Sequence, residues 1–276
     1  MKRLGPILVA DRFAPLRSQL LALLGSLDED DWDRATAAPG WSVKDVTAHL
    51  VGGDFGILSG KRDGYHATYK KVDDYAQLVE LINRLNMDWI KVMSRMSPRL
   101  LMDLLAFTGP EVESCFASLD PLNMGGPVEW AGPDSAPVWF DIAREFTERW
   151  HHQQQIRDAT ARPPLYDPYF LAPVLDTFVR ALPYNFRHLA APEGTVVRLE
   201  ISGDAGGVWF LHRVSQTWIL AVDSETEPAA DVILPQDTGW RLFTKGIDRQ
   251  EARVRAVIRG DAGLASPIFE TTAIIG

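Results

Sequence analysis

A single cysteine, Cys115, stands among 276 residues. One thiol cannot form an intrachain disulfide, so a reducing compartment is expected. Long apolar runs are also missing. The opening MKRLGPILVADRF holds only the short run ILVA, too little for a signal-peptide core. No stretch approaches the roughly 18 apolar residues of a membrane span. These absences predict a cytoplasmic protein that makes no use of a membrane. Positive charge is the third shortage: 28 Lys and Arg against 37 Asp and Glu give a net charge of −9. Non-specific binding to nucleic acid or to an anionic membrane needs the opposite sign. The expected partner is therefore a small molecule and not nucleic acid, and a local arginine can still hold a small anion. No serine sits in a nucleophile-elbow motif. The glycines of GDAGG (203–207) lie between two predicted strands, where they read as a hairpin turn and not as a phosphate loop.

What is present divides into two halves of different periodicity. Residues 1 to about 185 read as helices. The first pattern runs from Val9 to Leu27, with Phe13, Leu16, Leu20 and Leu23 three and four apart. The second opens at GWSVKD, with Ser42 as N-cap and Asp45 at the capping-box position. Further helices are predicted over about 73–96, from Pro98 to about Leu119, over 136–159 and over 168–183. DPLNMGGPVEWAGPDSAP reads as a loop by its Gly and Pro content. Past LAAPEGT come short β-rich runs: TVVRLEISG, GGVWFLHRV, TWILAVD, ADVILP and ARVRAVIRGD. With helical patterns over QDTGWRLFTKG and AGLASPIFETTAII, they predict a small α+β domain on a mainly antiparallel sheet. The expected division is residues 1–188 as a helical bundle and 189–276 as the α+β domain.

The chemistry-bearing stretch is EFTERWHHQQQIRD, residues 145–158. Glu148 and His152 are four apart on a predicted helix, so their side chains leave one face about 6 Å apart. That spacing suits two ligands of one metal ion. His151 points about 100° away and is expected to be structural or exposed. His49 borders the apolar stripe of another predicted helix. Together His49, Glu148 and His152 make two imidazoles and a carboxylate, a donor set that leaves coordination positions open on zinc, iron, nickel or manganese. The spacing alone leaves a plainer alternative standing. Asp141, Glu145, Glu148, His152 and Gln155 form one polar stripe, and Val138, Ile142, Phe146 and Trp150 an apolar one, as on any amphipathic surface helix. His49 is equally a hydrogen-bonded core histidine. Cys115, among Val112, Phe116 and Leu119 at helical spacing, reads as a buried, inert thiol. Gly52, Gly53 and Gly56 let helices approach, leave room for a ligand, or simply end or bend the helix they sit in.

PGWSVKDVTAHL, EFTERWHHQQQIRDA and the C-terminal PAADVILPQDTGWRLFTKGI with VRAVIRGDAGLASPIFETTAII together resemble one family. It is the mycothiol-dependent maleylpyruvate isomerase-like branch of the DinB/YfiT-like superfamily. The resemblance implies an N-terminal DinB-like four-helix bundle with a divalent metal in its core, followed by a small sterol-carrier-like α+β domain. It implies His49, Glu148 and His152 as ligands, zinc as the first metal with nickel, iron and manganese as alternatives, and mycothiol or another small thiol as cofactor. By that likeness a thiolate adds to an activated carbon–carbon double bond. Rotation and elimination then give a cis–trans isomerase, and stopping after addition gives an S-transferase; the specific substrate stays open. Gln155, one turn past His152, is the candidate to orient its imidazole. Arg241, Arg255 and Arg259 are candidates to hold a substrate carboxylate, against the plainer role of solvated surface charges. Two other functions stay open: a non-catalytic metal- or small-ligand-binding protein, and a metal-assisted hydrolase. Monomer and homodimer are both compatible with the sequence.

Overall fold

In the computed structural model, which describes residues 1–65, 72 and 74–275, the first helical pattern becomes α1 (Phe13–Gly25) after a single 3-10 turn at Ala10–Arg12. It buries Phe13, Leu16, Leu20, Leu23 and Leu24, a three-and-four spacing that turns one stripe inward. α2 (Val43–Ile57) starts at the capping box: Ser42 accepts from Asp45 N, and the Asp45 side chain accepts from Ser42 N. α3 (Tyr75–Met93) is capped by Asp74; residue 73, where the pattern over 73–96 begins, lies outside the described residues. α4 spans Pro98–Ser118, capped by Ser97. In the stretch expected to be a loop, β1 (Met124–Pro127) and β2 (Ser135–Pro137) pair as a small antiparallel ladder. α5 follows at Val138–Ala159.

The chain clusters into two compact units. The first takes Leu8–Pro121 and Glu145–Leu165; the second takes Met1–Ile7, Leu122–Arg144 and Tyr166–Ile274. α5 contributes residues to both. In the helical unit, Leu20, Leu24, Val43, Val46, Leu101 and Ile156 belong to one core drawn from α1, α2, α4 and α5. Each such side chain contributes about 1.5–3 kcal/mol by leaving water. α3 lies on α2 because Gly52 has no side chain. A Cβ there would stand 2.6 Å from Trp89 Nε1, the same nitrogen that donates to the α2 carbonyl of Ala48 at 2.8 Å. Gly53 and Gly56 face open space.

The second unit adds α6 (Pro168–Phe178), α7 (Leu182–Asn185), β3 (Val196–Ser202), β4 (Gly207–Val214), β5 (Thr217–Ala221), β6 (Ala230–Pro235), α8 (Gln236–Phe243), α9 (Arg249–Arg255), β7 (Val257–Gly260) and α10 (Ala262–Glu270). The strands form a sheet in the order β5-β4-β3-β6-β7, antiparallel except for the β3–β6 pair. Val197, Leu199 and Ile201 alternate with more exposed residues along β3 and are buried. GDAGG is the β3–β4 turn, and it needs glycine at 206, where a Cβ would fall 1.9 Å from the Ile201 carbonyl oxygen.

Two differences from the periodicity have local causes. The strand expected over ARVRAVIRGD survives only as β7, because Asp248 caps a helix ahead of it by accepting from Gln250 N and Glu251 N. The alternation of that run is therefore spent on α9 before the chain extends. The expected boundary at 188/189 follows the change from helix to strand, whereas the contact units follow packing. Residues 166–188 cluster with the sheet, where Trp209 of β4 donates to Asp176 of α6 at 3.0 Å. Among the described residues, no helix is long and apolar enough to cross a membrane.

Candidate metal centre

The C-terminal part of α5 is buried nearly all round. Phe146, Trp150 and Ile156 are at most 1% exposed, and the polar positions His151, His152, Gln153, Gln154 and Gln155 are all at most 7% exposed. On the polar stripe itself Glu145, His152 and Gln155 are buried and Asp141 and Glu148 half-buried, so the stripe is not a solvated face and the surface-helix alternative falls. Buried polar groups persist only where they find partners. Gln153 Nε2 donates to the Leu16 carbonyl at 3.3 Å, and Gln154 Oε1 accepts from Leu165 N at 3.1 Å.

His49 of α2 meets Glu148 and His152 of α5. His49 Nε2 donates to Glu148 Oε1 at 3.0 Å, and His152 Nε2 donates to the same oxygen at 3.1 Å. One donor atom from each of the three residues lies within 4.8 Å of the others. Donor atoms around a metal with bonds of about 2.1 Å stand roughly 3–3.4 Å apart; the two imidazole-to-carboxylate separations, 3.0 and 3.1 Å, match that spacing, so this donor set suits a divalent cation. Burial pushes the His49 imidazole down, which favours the neutral ring a metal requires. Burial also works against charge on Glu148 and His152. Each nevertheless stabilises the other, holding the carboxyl well below its ordinary range and raising the imidazole. Glu148 keeps a third of its side chain exposed, against 9% for His152, so the site opens toward solvent beside the carboxylate.

Gln155 fixes the far side of one ring. His152 Nδ1 donates to Gln155 Oε1 at 2.8 Å, and Gln155 Nε2 donates to His151 Nε2 at 3.2 Å. The amide is held by one histidine while it holds the other, so the adjacent pair is a ligand candidate and the group that orients its partner. His151 is buried, not exposed. Trp41 packs over both candidate imidazoles, with ring centroids 5.0 Å from His49 and 6.3 Å from His152. Neither His151 nor Trp41 was marked as a site residue by spacing. Trp41 sits in the capping segment GWSVKD, and only the tertiary fold brings it over the rings. Asp54 and Arg149 form a second buried pair beside the triad, at 2.7 Å.

The remaining candidates lie in the sheet unit. Arg241 Nε donates to Asp237 at 2.9 Å, Arg255 lies 3.8 Å from the same carboxylate, and Arg259 lies 3.6 Å from Asp231. Cys115 is buried, and burial pushes its thiol up.

Residues 13–157 match the family model described as mycothiol maleylpyruvate isomerase N-terminal domain, just over half of the chain. No curated protein matches the sequence. The crystal structure of the mycothiol-dependent maleylpyruvate isomerase is similar at a TM-score of 0.52 and 12% identity, covering 87% of this chain and 91% of that one. A histidine-to-alanine mutant of that isomerase gives the same values. At that identity the likeness concerns the fold: a helical N-terminal region followed by a sheet-containing domain. The UbiJ-SCP2 ubiquinone synthesis protein overlaps 38% of this chain and 90% of its own at 16% identity and a TM-score of only 0.26.

Proposed function

The chain belongs to the mycothiol maleylpyruvate isomerase N-terminal domain family, and on that premise we propose a divalent-metal-dependent isomerase or S-transferase that uses a low-molecular-weight thiol. Zinc is the first metal in this reading and mycothiol the first thiol. The observation that carries it is the convergence of His49 and His152 Nε2 on one oxygen of Glu148, which leaves room for exogenous ligands on a cation held there. When bound, such a cation supplies a Lewis-acid centre that lowers the pKa of a thiol presented to it. The chain's residues do the rest. His49, Glu148 and His152 hold the cation. Gln155 holds the Nδ1 proton of His152, so the proton given up on ligation would be the one on Nε2, which faces the site. Trp41 walls the site against water on the side of the two rings, and the exposed flank of Glu148 is the approach for thiol and substrate.

The single thiol of the chain is buried and raised in pKa, so the nucleophile comes from a small molecule. A thiolate that adds to an activated carbon–carbon double bond leaves a carbanion and a single bond about which rotation is free; eliminating the thiolate returns the isomer, and protonating that carbon from solvent gives the S-conjugate. Arg241, Arg255 and Arg259 stay candidates for a substrate carboxylate, and each must share its present acidic neighbour to serve. A cytoplasmic location, where small thiols are kept reduced, belongs to the same reading.

The test is a thermal-shift screen of the metal-loaded protein, purified without a histidine tag, against mycothiol, bacillithiol and glutathione. A thiol present at 100 times its Kd stabilises by about 2.7 kcal/mol, an upward shift of several degrees. Cobalt-substituted protein is expected to gain a sulfur-to-metal charge-transfer band with the same thiol. If no thiol stabilises the loaded protein while small acids or lipids do, the thiol-dependent reading fails.

A smaller change probes the imidazole's partner. Gln155→Leu keeps the volume near His152 and removes its acceptor. Loss of such an outer partner costs about 10–100-fold in metal affinity. A competition titration with a chromophoric chelator measures it, and an unchanged Kd removes Gln155 from the site.

A further inference from the structure

We propose that Arg149, with Asp54 and Glu145, is a positioning network that sets α2 against α5 so that His49 reaches Glu148; this rests on the reading of the triad as a metal site. The triad draws on two helices, and sliding one past the other by a single residue moves a ligand about 1.5 Å. The hydrogen bonds within the triad use the very atoms a cation would take, so they cannot hold the helices in register once it binds.

Arg149 can. Its Nη2 donates to Asp54 Oδ1 of α2 at 2.7 Å, and its Nη1 donates to Glu145 Oε2 at 2.8 Å and to the Glu145 carbonyl at 3.2 Å. Its guanidinium lies 5.6 Å over the ring of Phe13 in α1. The other oxygen of Asp54 accepts from the Thr108 hydroxyl of α4 at 2.6 Å. Arg149 and Asp54 thus tie together α1, α2, α4 and α5. They do so directly beside Glu148 in sequence and five residues along α2 from His49. The side chains of Arg149, Asp54 and Glu145 are only 15%, 6% and 11% exposed. A carboxylate without its partner is costly in such a place, so the helices are held where the fork reaches both acids. The planar fork serves two carboxylates at once, which the single ammonium of lysine does not. One divalent cation also neutralises the formal charge of Asp54, Glu145, Arg149 and Glu148 taken together.

Arg17–Glu113 is the internal control. It is a somewhat more exposed ion pair of 2.6 Å, at 25% and 19%, that joins α1 to α4 and makes its hydrogen bonds to neither α2 nor α5. Arg149→Lys, Asp54→Asn and Arg17→Lys are compared by zinc Kd and by the imidazole nitrogen resonances of the metal-free proteins. Arg149→Lys and Asp54→Asn are expected to raise Kd by about 10–100-fold and to shift the His49 resonance toward that of a free imidazole. Arg17→Lys is expected to lower the melting temperature and to change neither readout. The proposal is overturned if the first two variants keep the wild-type Kd and His49 resonance, or if Arg17→Lys moves both as far. Should Arg149→Lys fail to fold, Asp54→Asn carries both readouts. If the wild type binds no zinc, the metal reading fails separately. The metal-free His49 resonance still decides the network, and an unshifted resonance overturns it.

Discussion

Alanine at His152 is expected to leave the purified protein without stoichiometric metal, while alanine at the neighbouring His151 leaves metal bound. His152 and His49 face the same Glu148 oxygen at 3.1 and 3.0 Å, and three protein donors are the minimum of an open catalytic zinc site. Removing one leaves an imidazole and a carboxylate. The loss of affinity should exceed the roughly 10–100-fold that follows from loss of an outer partner. His151 makes the discriminating control. It is as buried as His152 but reaches the cluster through the amide of Gln155 and a ring contact with His152 at 5.1 Å, so its removal should lower affinity without abolishing it. Elemental analysis of wild type and both variants, made without a histidine tag, is the measurement. Metal equally present in His152→Ala and in wild type sinks the triad. Metal equally absent from His151→Ala and His152→Ala means that folding of α5, and not ligation, was lost; circular dichroism of the two variants separates that case.

How much of this was legible in the sequence depends on range. Ser42 and Asp45 were readable because a capping box is a local device, closed within four residues. Glu148 and His152 were readable as a pair because one helical turn separates them. The direction in which that pair points was not. A stripe of Glu, His and Gln has the pattern of a solvated face, and only the packing of α1, α2 and α4 around α5 turns it inward. His49 lies 99 residues from Glu148, so its place beside the pair came from resemblance and not from spacing. Asp54 and Arg149 carried no local signal at all, and Trp41 only its place in the segment PGWSVKDVTAHL; each matters through a partner on another element. The β-rich half failed at one point for a related reason. The alternation in ARVRAVIRGD suits a strand, and a single capping aspartate before it, Asp248, outweighs that alternation over the first half of the run.

Trp150→Ala is expected to have the largest effect on stability. Trp150 is 0% exposed, and its Nε1 donates to the Leu165 carbonyl at 3.1 Å, tying the end of the following loop back to α5. Truncating a fully buried large aromatic costs about 3–5 kcal/mol, depending on how far the site collapses. The orphaned carbonyl adds a further penalty of about 1–3 kcal/mol if water cannot reach it. Set against a total of roughly 5–15 kcal/mol for a folded domain, that loss leaves the variant marginal. Trp150→Phe isolates the hydrogen bond, since it keeps most of the apolar contact. It should cost only about 1–3 kcal/mol. The two substitutions also separate stability from the site. Trp150 precedes His151 and His152 directly, so the cavity left by alanine lets that turn of α5 relax and weakens metal binding, whereas phenylalanine keeps the turn packed and the affinity near wild type. Denaturant unfolding of the metal-free proteins gives the first comparison and chelator competition the second. A Trp150→Ala protein as stable as wild type would show that this face of α5 is not enclosed, and the inward-facing polar stripe opposite it would lose its support.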